Sequence, residues 1–233
     1  MKKLIIITGV NKGLGEAFFN FFLKDESITI IAISRNFSEN QKLIKGKNKQ
    51  VIFLQKDLST LKDVEAELNL SLYYSPKFEE VIFINNAATI NPIEAIGNFK
   101  DHAIINSIQL NTIAPLLLTN NIIKHNTSNK VRIFNITSGA SKRPIVGWSL
   151  YCSTKSANEM FFNTLKLQEE NNKNIEIYNL DPGVMDTDMQ KNIRSKEEKQ
   201  MPNVNVFKDY HKTEKLKSAI EVAQEIVKTH NII

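Results

Sequence analysis

Lys3-Leu4-Ile5-Ile6-Ile7-Thr8-Gly9-Val10-Asn11-Lys12-Gly13-Leu14-Gly15 decides the fold. Its first half is a short apolar run rich in β-branched residues, bounded by lysine and by glycine. Such a run fits a strand buried on both faces. Its second half holds three glycines before an amphipathic stretch from about residue 13 to 25. Glycines at that place permit a tight turn and let backbone approach a phosphate closely. The helix that follows presents unpaired N–H groups and a partial positive charge. Thr8, Gly9, Asn11, Lys12, Gly13, Leu14 and Gly15 are therefore candidates to bind a cofactor phosphate. The spacing is T-G-x-x-x-G-x-G, not the G-x-G-x-x-G of many dinucleotide enzymes.

The same rhythm continues outward. Further short apolar runs lie at Ile28–Ser34, Gln50–Gln55, Glu80–Asn85, Lys130–Thr137 and Asn174–Leu180. Helical patterns fall between them near 38–46, 59–70, 101–125 and 149–172, with a last one near 214–229. Repeated strand–helix alternation predicts an α/β fold: a Rossmann-type, doubly wound parallel sheet with helices on both faces, in one domain spanning 1–233. The polar stretch 186–212 breaks the rhythm and holds Pro202. It reads either as a substrate lid or as an irregular surface loop.

Bulk properties narrow the function classes. Hydrophobic residues make up 42% and charged residues 24% of the 233, an ordinary globular balance. The net charge of +5 comes from scattered basic residues, which argues for a solvated surface and against a nucleic-acid partner. The single cysteine, Cys152, excludes an intrachain disulfide and suits a reducing cytoplasm. His102, His125, His211 and His230 show no metal-ligand spacing, so no metal is expected. The opening Met1-Lys2-Lys3 imitates a signal peptide, but its apolar run stops at Thr8-Gly9. No run approaches the roughly 18 apolar residues of a membrane span.

The ends of the strands carry the chemistry. Ser34-Arg35-Asn36 closes the second run, where this fold places an adenosine ribose. An acidic residue there would hold the 2′-hydroxyl of NAD, whereas Arg35, with Lys12 nearby, suits the 2′-phosphate of NADPH/NADP. Asp57-Leu58 follows the third run. The carboxylate can meet an adenine amino group or cap a helix, a role open to Ser59 as well.

Tyr151 and Lys155 lie four residues apart and share a helix face. A free tyrosine titrates near 10. A lysine cation roughly 4–5 Å away favours phenolate by about 3–4 kcal/mol at an effective dielectric near 20. That is about 2–3 pKa units, enough for Tyr151 to serve as a proton donor to a carbonyl oxygen. Ser138 ends the fifth run and can hold that oxygen; Thr137 is the competing hydroxyl, but strand alternation points it away. Pro115 sits four residues after Asn111 and deprives its carbonyl of a helix donor. A kink follows, and the freed carbonyl invites a water that can relay protons toward Lys155. Trp148 reads as a wall of the substrate pocket or as core, Cys152 as a small packing residue, and Asp181 as a turn residue or a ligand for an amino group.

Together these residues resemble the compact short-chain dehydrogenase/reductase family over residues 3 to about 190. The cofactor turn matches Thr8 through Gly15. The N-N-A-G element stands as Asn85-Asn86-Ala87-Ala88, with Ala88 in place of glycine. The resemblance puts the catalytic tetrad on Asn111, Ser138, Tyr151 and Lys155. It makes Asn86, Ala87 and Ala88 cofactor contacts. It also places the nicotinamide amide against Pro182, Gly183, Val184 and Thr187 of the P-G-x-x-x-T element. It implies seven strands and a homodimer or homotetramer, although the chain ends at Ile233 with room for only a very short seventh strand. Ile33-Ser34-Arg35-Asn36, the segment Gly147–Lys155 and Asp186-Thr187-Asp188-Met189-Gln190 look closest to the sepiapterin reductase and bacterial benzil reductase group. That group implies a small-molecule ketone or 1,2-dicarbonyl substrate. A 3-oxoacyl reductase, a general alcohol dehydrogenase and a non-catalytic NADPH sensor are the alternatives.

Overall fold

A computed structural model describes residues 2–126 and 129–233. Six strands, β1 (Lys3–Thr8), β2 (Ile28–Ser34), β3 (Val51–Gln55), β4 (Glu80–Asn85), β5 (Lys130–Ile136) and β6 (Ile175–Leu180), form one sheet in the order β3-β2-β1-β4-β5-β6. Every adjacent pair is parallel. Successive side chains of β1 point to opposite faces. Ile5 and Ile7 therefore meet Phe18 and Phe22 of α1 (Gly13–Phe22) and Val222 and Ile226 of α9 (Ala219–Thr229). Leu4 and Ile6 meet Leu118 and Ile122 of α5 (Ala114–His125) and Phe162 of α6 (Ser149–Gln168). Each face is thus a separate core, which explains why the strands read as apolar runs rather than as alternations.

The strand order reverses between β1 and β4, which opens a crevice at the carboxyl ends of the strands. The helices refine the sequence expectations. The 38–46 pattern forms only α2 (Glu39–Ile44), and 59–70 breaks into short turns around α3 (Val64–Leu68). The 101–125 pattern divides into α4 (Asp101–Ile108) and α5, joined by a π-helical turn over Gln109–Ile113. The kink expected from Pro115 thus takes the form of a π-helical turn.

The stretch 186–212 is not irregular. It folds into α7 (Asp188–Arg194) and α8 (Val204–Lys212), anchored by the fully buried Met201 and Val204. Among the described residues no seventh strand pairs with the outer edge of β6. Instead the segment His230–Ile232 docks at the amino-terminal ends of the central strands β1, β4 and β5. Lys3 Nζ donates to the carbonyl of Ile232 at 2.5 Å, and Arg132 donates to that of His230 at 2.8 Å while pairing with the buried carboxylate of Glu80.

Candidate active site

The glycine turn is built by close approach. A Cβ on Gly15 would collide with the carbonyl of Gly9 and the side-chain amide of Asn86. Gly13 stands at φ +59°, a conformation that favours glycine. The turn is fixed to the loop after β4. Thr8 Oγ1 accepts from the backbone N–H groups of Asn86 and Ala87 at 3.0 Å each, and Asn86 Nδ2 donates to the carbonyls of Thr8 and Gly9. Thr8, Asn86 and Gly15 therefore shape the turn. Ala88 adopts no positive φ, so its replacement of glycine carries no strain. No side chain caps the start of α1, which leaves its first N–H groups available to an anion.

A cavity of about 400 Å³ runs from this turn to Tyr151. Gly9, Asn11, Lys12, Gly13 and Leu14 line one end, with Ser34, Arg35 and Leu58 at its margin. Ala87 and Ala88 lie along its middle, as do Pro182, Gly183, Val184 and Thr187. Ser138, Trp148, Tyr151 and Lys155 close the far end. A cavity that joins glycine backbone and an uncapped helix N-terminus to Ser138, Tyr151 and Lys155 fits a dinucleotide.

Some expected contacts lie elsewhere. Asn36 and Asp57 are not among the cavity's walls. Asp57 accepts from the N–H and hydroxyl of Ser59 at 2.9 and 2.7 Å, so its capping role is the one realised. Its other oxygen stands 3.9 Å from Arg35. The Lys12 ammonium, which does line the cavity, is paired with Asp188 at 3.3 Å. Both partners are more than half exposed, so the pair is weak.

Asn111 also lies behind the cavity wall. Its Oδ1 accepts from Thr89 N–H at 2.8 Å, and its Nδ2 donates to the Thr89 carbonyl and to Thr154 Oγ1. Its backbone carbonyl accepts from Asn158 Nδ2 at 3.1 Å. Asn111 thus ties α6 and the loop after β4 together.

Ser138 follows β5 in extended backbone, and its Oγ accepts from Ala140 N–H at 3.2 Å. Thr137 donates instead to Glu159 at 3.1 Å, as strand alternation requires. Glu159 also receives Ser141 and Lys142, which fastens the Ser138 loop onto α6. Tyr151 and Lys155 are both buried on the first turns of α6. Lys155 Nζ donates to the Ile136 carbonyl at 2.7 Å and stands 5.9 Å from the Tyr151 ring centre. Burial pushes the Tyr151 phenol up to about 12, with the neighbouring Ser138 hydroxyl opposing. Burial pulls Lys155 down to about 8, opposed by the charge of Asp181. The sequence argument expected lysine to depress the tyrosine; in the protein alone, desolvation dominates and raises it.

The substrate end has walls that no motif announces. Ile90, Ile145, Ile193 and Phe207 surround Trp148 and Tyr151 as an apolar cluster. Ile193 and Phe207 come from the stretch 186–212, which the sequence reading offered as a lid, while Ile90 and Ile145 lie in loops with no motif. Cys152 packs beside them, its thiol pushed up by burial. Asp181 accepts from Gly183 N–H at 3.0 Å as a turn residue, and it also borders the cavity.

Comparison with known proteins agrees with this architecture. The family profile for short chain dehydrogenase matches residues 3–198. A benzil reductase ((S)-benzoin forming) of Bacillus cereus is 35% identical over 230 residues, covering 96% of this chain and 92% of that protein. A sepiapterin reductase of Xenopus tropicalis is 26% identical over 200 residues, covering 80% of this chain and 75% of that protein. The crystal structure of the KRED1-Pglu enzyme superposes with a TM-score of 0.83 at 25% identity, covering 97% of this chain and 94% of that one. With the fold, the glycine turn and the Ser138–Tyr151–Lys155 grouping in place, these matches make the chain a member of the short chain dehydrogenase family of oxidoreductases.

Proposed function

We propose that this protein is an NADPH-dependent reductase of a ketone or 1,2-dicarbonyl compound. The observation that carries the reading is the convergence of Ser138, Tyr151 and Lys155 at the end of the channel that begins at the glycine turn. When bound, the dinucleotide supplies hydride to the carbonyl carbon. Tyr151 donates its proton to the carbonyl oxygen. Ser138 orients that oxygen, and Lys155 holds positive charge behind the phenol. The turn from Gly9 to Gly15 and the N-terminus of α1 cradle the phosphates. The α7–α8 segment closes over the substrate and excludes water. The apolar walls and the benzil reductase relative favour a dicarbonyl carrying aromatic groups. Following NADPH absorbance with a panel of 1,2-diketones, simple ketones and 3-oxoacyl thioesters tests the reading. Binding of NADPH without turnover of any of them would favour a sensor.

Arg35 carries the choice of NADPH over NADH. It borders the cavity with two-thirds of its side chain exposed and only the distant Asp57 beside it. A charge-assisted bond to the 2′-phosphate is worth about 1.5–3 kcal/mol. Arg35→Ser therefore weakens NADPH about 10–100-fold in a binding titration and leaves NADH nearly unaffected. Equal losses for the two nucleotides would remove Arg35 from this role.

Reduction should also fall at alkaline pH. Lys155 keeps its proton below about 8, whereas Tyr151 keeps its own up to about 12. Raising pH through about 8 discharges the lysine while the acid is still protonated. The kcat/KM profile then shows one descending limb centred there. A flat profile to pH 10 would show that the lysine charge is not needed.

Assembly as a homodimer or homotetramer is supported by exposed Ile105 on α4 and by Met160 and Leu167 on α6. Among the described residues no helix is long and apolar enough to cross a membrane. A cytoplasmic location belongs to the same proposal.

A further inference from the structure

Tyr151, Lys155 and Glu159 follow one another at four-residue intervals along α6, so they share a helix face. The first two border the cavity, and Glu159 does not. Its carboxylate is turned to the loop that leaves β5. It accepts from Thr137 Oγ1 at 3.1 Å and from the Ser141 hydroxyl, and it pairs with Lys142. These partners lie on either side of Ser138. The Ser141 hydroxyl also stands 2.7 Å from the Ser138 carbonyl, so it sits between that carbonyl and the carboxylate. Beyond Ser138 the loop is a single 3-10 turn, Gly139–Ser141, that begins with glycine. Such turns have poor hydrogen-bond geometry, and glycine restrains the backbone least, so the loop does little to fix itself. The restraint comes from α6. The Glu159 side chain is only 8% exposed. Ser156 Oγ adds an uncharged tie to the Ser141 carbonyl at 2.8 Å.

We infer that Glu159 is a positioning residue that sets the Ser138 hydroxyl against Tyr151 by tying the loop after β5 to the helix that carries the acid. The inference rests on the reductase reading above. The carbonyl oxygen must meet two hydroxyls at once, and they ride on different elements. Tyr151 and Lys155 are fixed relative to each other by α6 itself. Ser138 has no such covalent frame, and a displacement of about 1 Å costs as much as a hundredfold in rate. Glu159 touches neither end of the reaction and acts through Ser138. Its removal strands no buried charge, because the Lys142 side chain is 68% exposed and turns to solvent.

The experiment is a double-mutant cycle on Glu159 and Ser138, with benzil and NADPH as substrates and kcat as the readout. Glu159→Ala lowers kcat about tenfold to a hundredfold. Glu159→Gln keeps an acceptor oxygen for the two hydroxyls and recovers most of that loss. In the Ser138→Ala background, Glu159→Ala costs less than about threefold, because the hydroxyl it positions is gone. A general packing role would instead lower kcat by the same factor in both backgrounds. Equal factors, or wild-type kcat in Glu159→Ala, overturn the inference while the reductase reading stands. Should Glu159→Ala fail to fold, Ser141→Ala takes its place in the cycle, since it removes one hydroxyl of the tie and leaves the carboxylate paired. Its loss must likewise vanish without the Ser138 hydroxyl, and a loss of the same size in both backgrounds overturns the inference. No turnover by wild type overturns both.

Discussion

Tyr151→Phe lowers kcat for carbonyl reduction by about 10²–10⁴-fold, the usual worth of a positioned acid. The phenol is buried at the end of the channel, with Ser138 and Lys155 beside it and apolar residues behind. Removing one oxygen leaves the ring, its edge-on contact with Trp148 and the helix unchanged. Folding should therefore persist, and thermal unfolding of the variant should lie close to wild type. Phosphate binding depends on the turn at the other end of the channel, so NADPH affinity changes far less than kcat. The expected pattern is a protein that binds cofactor and fails in proton transfer. A variant with a third or more of wild-type kcat would show that another group or solvent supplies the proton. Loss of NADPH binding together with kcat would place the phenol in the cofactor site instead of the chemistry.

Gly15→Ala disrupts the turn itself. The added methyl group meets the Gly9 carbonyl and the Asn86 amide, and neither can move cheaply. Gly9 N–H is bonded to the Ile33 carbonyl at 2.8 Å, while Asn86 Nδ2 holds the carbonyls of Thr8 and Gly9. The strain of forcing a methylene-sized group into packed structure is about 1–3 kcal/mol. For a domain of this size that lowers Tm by roughly 2–12 °C. The displaced turn also withdraws backbone N–H groups from the phosphates, so NADPH affinity drops by about tenfold or more. Calorimetry and a binding titration measure the two effects. Unchanged Tm and affinity would mean that the turn is loose, contrary to the contacts that define it.

Much of this protein is legible in its sequence. The apolar runs establish the six parallel strands, because a strand buried on both faces needs hydrophobic residues at nearly every position. The glycine turn and the four-residue spacing of Tyr151 and Lys155 are local signals, and local geometry suffices to interpret them. Pro115 marks the irregular turn correctly for the same reason.

What only the tertiary structure decided involves partners far apart in the chain. Asn158 meets the Asn111 carbonyl because α6 packs against the π-helical turn. Lys12 faces Asp188, which lies 176 residues away. The polar stretch 186–212 folds into two helices because a few apolar residues, such as Met201 and Val204, find a shared core. The direction of the Tyr151 shift follows from burial, and burial is a property of the packed cavity that spacing along a helix does not express. The tie from Glu159 to Thr137 and Ser141 belongs to the same class. Spacing puts Glu159 on the helix face of Tyr151 and Lys155, but only the packed structure brings the loop after β5 against it.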